Sequence, residues 1–186
     1  GCSTSHATDT SVSPWTLRLE AWEIVETLWL SEKHGFERWT SLQPPYSILR
    51  RTMEAEHFPM TQRFGIGNMV WSPLEGGWLA GKYRKGHENP LDTPRAVKWV
   101  GDLDNPKFAH RLDVVEELLK LAEGKGTTLA CFALKWTLRH PAVTATIIGP
   151  RTMEQLEDAI ASLEIQVSDE EAARVDALVP PGTSAL

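Results

Sequence analysis

Residues 66–83 read IGNMVWSPLEGGWLAGKY, an apolar run that ends in Trp71-Ser72-Pro73-Leu74 and passes into Gly76, Gly77 and Gly81. Ile66 to Trp71 has the composition of a buried strand, and Pro73, which cannot donate to a ladder, stops it. Glycines directly after a strand let backbone N–H groups come close to a phosphate. The stretch therefore predicts a strand that delivers the chain into a ligand-binding loop.

On the N-terminal side, Ala21 to Lys33 places Ile24, Val25, Leu28 and Trp29 on one helical stripe. Trp39 to Gln43 reads as a short strand stopped by Pro44-Pro45, and Arg51 to Phe64 as a helix kinked near Pro59. On the C-terminal side, residues 72–112 form a long loop that carries Pro90, Pro94 and Pro106 and shows no clear period after residue 84. Helical periodicity returns at Asp113, with Val114, Leu118 and Leu121 on one face and Gly124 and Gly126 at the end. Thr127 or Thr128 can cap the helix that follows to His140, and Ala142 to Gly149 is a β-branched-rich, buried-looking strand. Thr152 with Gln155 precedes a helix through Ser162, and Ser168 with Glu171 opens a last helix, 168–178.

Strand and helix thus alternate four times, which implies a parallel sheet covered by helices. An open doubly wound sheet and a closed (β/α)8 barrel both fit, and in either the ligand sits at the C-terminal strand ends. Four spots lie there: Gly1-Cys2-Ser3, Leu42-Gln43, Trp71 to Leu74, and Ile148-Gly149-Pro150-Arg151.

The 186 residues are enough for one sizeable core, and a net charge of −6 with no basic stripe argues against nucleic-acid or anionic-membrane partners. Two cysteines, Cys2 and Cys131, make no disulfide framework. No run reaches membrane-span length and the first residues lack a signal-peptide layout, so a cytoplasmic location is expected. The six histidines are scattered without metal-ligand spacing, and no GxGxxG, GxSxG or Walker sequence occurs. The chain begins with Gly rather than Met, in what reads as a functional turn, so a longer natural protein is expected.

Each candidate residue is ordinary when taken alone. Gln43 could be a turn amide, Ser72 the start of a turn before Pro73, Trp71 core packing, and Lys82 and Arg95 solvated charges. Arg151 is the exception. It stands just ahead of a capped helix, where its charge opposes the macrodipole unless an anion binds there.

In order and spacing, GCST, SLQPPYSILRR with EAE, WSPLEGGWLAGKY, TPRA and TLACFALKWTLRHPAVTATIIGPRTMEQLEDAI closely resemble the C-terminal half of the aldo-keto reductases, nearest to bacterial members related to the potassium-channel β subunits. The resemblance implies a (β/α)8 TIM barrel, of which this chain covers about the second half, strands 5 to 8 with their helices. It also implies NADPH, bound in extended form across the strand ends. Ser3 and Gln43 match the positions that hydrogen-bond the nicotinamide carboxamide, and Trp71 the residue on which the nicotinamide stacks. Ser72, Pro73, Leu74 and Gly77 match the pyrophosphate loop, with Lys82 and Arg95 as its basic partners. Gly149, Arg151, Gln155 and Asp158 match the site of the adenosine 2′-phosphate and adenine. Ala159 stands where the family usually has Asn, and residues 5–20 depart from the usual connection.

The family's Asp, Tyr, Lys and His tetrad comes from the first four strands, so no catalytic residue is assigned in this chain. The expected function is reduction of an aldehyde or ketone carbonyl by the complete enzyme, with negligible turnover by the isolated chain. The alternative is a non-catalytic NADPH-binding half-barrel or regulatory module. The expected partner is the missing N-terminal half or a second copy.

Overall fold

The computed structural model describes residues 19–87 and 102–185. The chain divides into two compact units, Gly1–Arg38 and Trp39–Leu186.

The first unit contributes helix α1, Ala21–His34, opened by a reciprocal Glu20–Glu23 capping box and closed by Gly35 at φ 68°. Its buried stripe is Ala21, Ile24, Leu28 and Ser31, narrower than expected: Trp29 is 57% exposed, because it sits one residue, about 100°, around the helix from Leu28.

In the second unit three parallel strands stand in the order β1 (Ser41–Leu42), β2 (Gly67–Val70), β3 (Val143–Thr146). The helices are α2 (His57–Phe64), α3 (Ala109–Gly124), α4 (Leu129–Arg139), α5 (Met153–Ala161) and α6 (Asp169–Leu178). Register pairs Ser41 with Gly67 and Leu42 with Asn68, then Asn68 with Val143 and Met69 with Ala145, with an irregularity that leaves Thr144 between them. The Thr144 hydroxyl takes over the ladder there by accepting from Asn68 N–H at 3.1 Å. A Cβ on Gly67 would lie 3.2 Å from that hydroxyl oxygen, so glycine is what allows the close approach.

Strand β2 alternates, with Asn68 and Val70 buried and Gly67 and Met69 half-buried. The Asn68 amide donates to Thr61 Oγ1 at 2.7 Å and to the Ala142 carbonyl at 2.9 Å, tying α2 and the approach to β3 onto the sheet. The core includes Leu79, Val115, Leu118, Phe132, Val175 and an aromatic group in which Tyr46 stacks on Trp136 and meets Phe58 edge-on. Burial of each such side chain contributes about 1.5–3 kcal/mol. Arg51 is buried with them and donates to Glu54, to Asp176 at 2.6 Å and to the Val179 carbonyl at 2.6 Å, which fastens α6 to the 52–54 turn. Burial opposes the Arg51 charge, but its bonds to Glu54 and Asp176 outweigh that and raise its pKa. Burial, followed by the Glu54 carboxylate, pushes the Tyr46 hydroxyl far above the ordinary tyrosine range.

Several boundaries differ from expectation. Residues 51–64 form a 3-10 turn, Thr52–Glu54, and then α2; the break lies ahead of Pro59, which occupies the first turn of α2, where its missing N–H costs nothing. Part of the expected 72–112 loop is regular: Glu75–Ala80 is a 3-10 segment, and α3 starts at Ala109 rather than Asp113. Asn105 accepts from Lys107 N–H and Pro106 follows it, a start signal that precedes the apolar period. Ala142 to Gly149 is not a buried strand. The strand itself spans only 143–146, and Ile147 and Ile148 are 43% and 41% exposed; β3 has a neighbour on one side only among the described strands. Thr128, Thr152 and Ser168 cap α4, α5 and α6 as expected. Among the described residues, no helix is long and apolar enough to cross a membrane.

Candidate functional site

Because β1, β2 and β3 run parallel, their C-terminal ends share one edge of the sheet. The ladder continues past the strands: Trp71 N–H donates to the Pro44 carbonyl, Tyr46 N–H to the Trp71 carbonyl, and Ile147 N–H to the Val70 carbonyl. Gln43, Trp71 and Ser72 are thereby brought together, with the run to Gly149 leaving the same edge. Gln43 is exposed and Trp71 half-buried. The Trp71 indole N–H donates to the Gln43 main-chain carbonyl at 3.1 Å, which fixes the ring across the ends of β1 and β2.

The loop after β2 is strained. Ser72 and Glu75 have φ of 57° and 44°, which is unusual for residues with a Cβ, and Gly76 and Gly77 follow at 66° and 103°. Such conformations cost of order 1 kcal/mol or more each and persist only where the surroundings enforce them. At Gly77 the φ of 103° is what favours glycine, since a Cβ there would make only ordinary contact with Lys82 Cδ at 3.4 Å. Pro73 is buried and Leu74 packs on the core, so the loop is anchored by its apolar residues. Lys82 Nζ lies 5.7 Å from the Tyr83 ring centroid.

Arg151 is exposed just before Thr152, the N-cap of α5. Its N–H donates to Gln155 Oε1 at 2.8 Å, so Gln155 closes the start of the helix one residue ahead of the usual capping box. Gly149 is open, with nothing within 4 Å of a Cβ built on it. Asp158 stands three residues after Gln155 in α5. It accepts from the Thr128 hydroxyl at 3.1 and 2.8 Å, placing a carboxylate near the positive end of α4. It also lines a shallow groove of about 410 Å³ with Glu123, Thr128, Cys131, Ala161 and Ile165, of which neither Arg151 nor Gln155 is part. Ser3 and Arg95 lie outside the described residues. Trp78 is buried in the core, 4% exposed.

Sequence reasoning missed the support of the loop. Glu75 is held by Arg50 at 2.6 Å and by Ser47 at 3.2 Å. Arg111 stands over the Trp78 ring, 4.7 Å from its centroid, and donates to the Ala185 carbonyl. These pairs are 25 or more residues apart in sequence, and no local pattern announces them.

The parallel strand ends thus lead into a glycine-rich loop in positive-φ backbone and toward a capped helix preceded by arginine. The chain belongs to the aldo/keto reductase family, whose model matches residues 12–180. It is 39% identical over 149 residues to the uncharacterized oxidoreductase YrpG of Bacillus subtilis, covering 80% of this chain and 43% of that protein. It is 34% identical over 151 residues to a Schizosaccharomyces pombe protein named for a voltage-gated potassium channel subunit beta, covering 80% and 44%. Aflatoxin B1 aldehyde reductase member 4 of Homo sapiens is 30% identical over 157 residues, covering 77% and 47%. The chain spans less than half the length of each of these relatives.

Proposed function

We propose that this chain is the cofactor-binding portion of an NADPH-dependent aldo-keto reductase acting on aldehyde or ketone carbonyls, and that its strands are the second half of a (β/α)8 barrel. The observation that carries the reading is the shared strand edge: Gln43 and Trp71 meet there beside a loop held in positive-φ backbone. The residues present fit a dinucleotide phosphate. The strained loop and its glycines suit a close phosphate approach, and the exposed guanidinium of Arg151 ahead of α5 is explained by an anion.

In this reading Gln43, with Ser3, holds the carboxamide of the nicotinamide, and Trp71 orients its ring. Ser72, Pro73, Leu74 and Gly77 line the pyrophosphate, with Lys82 and Arg95 as counter-charges. Gly149, Arg151 and Gln155 hold the adenosine end. Asp158 serves adenine only if it turns from Thr128, so its first role is to tie α5 to α4. Bound NADPH would supply the hydride. The proton donor is assigned to polypeptide outside this chain: Tyr46 and Tyr83 are buried in the core. NADPH oxidation with an aromatic aldehyde tests this, with negligible turnover expected from the chain alone and full reductase rates contradicting it.

The likeness to the fission yeast protein named for a channel β subunit favours a second reading, a non-catalytic NADPH-binding module that pairs with a second copy or another partner. A stable dimer that binds NADP+ on size exclusion supports it, and a monomer speaks against it.

A further inference from the structure

The loop assigned to the pyrophosphate has a support that the phosphate itself does not explain. Glu75, in the middle of it, is a non-glycine residue at φ 44°, and its side chain is only 10% exposed. Its carboxylate accepts from Arg50 Nη2 at 2.6 Å and from Ser47 Oγ at 3.2 Å. Both partners belong to the segment after β1, so one carboxylate joins the loop after β2 to the chain after β1.

That segment is braced from behind by the C-terminal tail. Arg51 N–H donates to the Thr183 carbonyl at 2.8 Å, Ala185 N–H donates to the Leu49 carbonyl at 3.0 Å, and Arg50 bridges Ser184. Arg111, over Trp78 and Phe108, donates to the Ala185 carbonyl at 3.1 Å and fixes the end of the tail. The Arg50–Glu75 pair is a poor device for stability alone: Arg50 is 28% exposed, its Nε is buried with no partner, and a half-buried, incompletely satisfied ion pair contributes little net stability. What the pair does supply is geometry. The backbone at residue 75 stands in a conformation that its own Cβ disfavours, and the pair ties that residue to the chain after β1.

We propose that Glu75 is a positioning residue for dinucleotide binding: its latch to Arg50 and Ser47, backed by the C-terminal tail, holds the 72–77 loop in its phosphate-ready form. The proposal rests on the cofactor reading above, and its test keeps the two apart. Glu75→Gln removes the charge and keeps the size; Glu75→Gly also removes the penalty of positive φ, so that one variant folds even if strain dominates the other. NADP+ affinity is measured by titration calorimetry well below the melting temperature, and amide hydrogen exchange at residues 74–77 is measured without ligand. The latch predicts NADP+ binding weakened on the order of tenfold in both variants, since a slightly misplaced loop loses oriented contacts, and faster exchange at 74–77. A merely structural glutamate would lower the melting temperature and leave both readouts unchanged, which would overturn the proposal. If the unsubstituted chain binds no NADP+, the cofactor reading fails while exchange still judges the latch: equal rates at 74–77 in chain and variants overturn it.

Discussion

The Trp71 indole N–H donates to the Gln43 carbonyl at 3.1 Å, so the ends of two adjacent parallel strands are joined by a side chain as well as by the ladder. The ring is oriented by this bond and by the bridge between Pro45 and Trp71. Trp71→Phe keeps an aromatic face and loses the anchor, whereas Trp71→Ala loses both. With aromatic stacking at about 0.5–1.5 kcal/mol, the alanine variant should bind NADPH roughly three- to tenfold more weakly and the phenylalanine variant less so. Titration of NADPH fluorescence checks the order. Equal affinities would remove Trp71 from the site.

In the proposed cofactor site, Arg151 is the residue expected to separate the two dinucleotides. A charge-assisted hydrogen bond is worth about 1.5–3 kcal/mol, so Arg151→Met should weaken NADP+ binding by roughly ten- to a hundredfold and leave NAD+ nearly unchanged. Competition titration of both ligands against chain and variant reads this directly.

Buried Arg51 holds α6 to the 52–54 turn through Glu54, Asp176 and the Val179 carbonyl. Arg51→Met leaves Glu54, 7% exposed, without its counter-charge beside the Tyr46 hydroxyl at 2.6 Å. Breaking a buried pair from one side costs about 3–5 kcal/mol, and the urea midpoint should fall accordingly while secondary structure survives at low denaturant.

Burial lowers the pKa of His140 below its ordinary 6.5, with the Glu54 charge opposing and Arg51 assisting. Its Nδ1 accepts from Ala142 N–H at 3.1 Å, and the ring packs against Phe58 and Tyr46. The folded state therefore prefers the neutral imidazole. Its contribution is fully present above the unfolded pKa, about 6.5, and is lost as pH falls through that value toward the lower folded one. Glu116, lowered chiefly by its bond to Arg84, acts in a more acidic window, below the ordinary 4.5. Melting temperature should thus decline on acidification from neutral pH before the carboxylates titrate, and His140→Asn should flatten that first decline.

Legibility in the sequence followed the range of the interaction. The caps at Thr128, Thr152 and Ser168 were readable because each is a hydroxyl three residues ahead of the N–H it accepts from. The edge that gathers Gln43, Trp71 and Ser72 followed from strand–helix alternation alone. The exposure of β3 was not readable, because a β-branched run looks the same with one neighbour or two. The 72–77 loop was only half legible: Gly76 and Gly77 announced a turn, but nothing in a glutamate announces φ 44°. The carboxylate of that glutamate is held by Arg50, 25 residues earlier. The Thr128 hydroxyl on Asp158, 30 residues away in sequence, was equally silent.

The measurement that tests the central claim most directly is a calorimetric titration of the folded chain with NADPH and, separately, NADH. Saturable one-to-one binding of NADPH, tighter than that of NADH and weakened by Arg151→Met, is the predicted result. A chain shown to be folded by its cooperative thermal transition, yet binding neither dinucleotide, would contradict the assignment of this strand edge as a cofactor site.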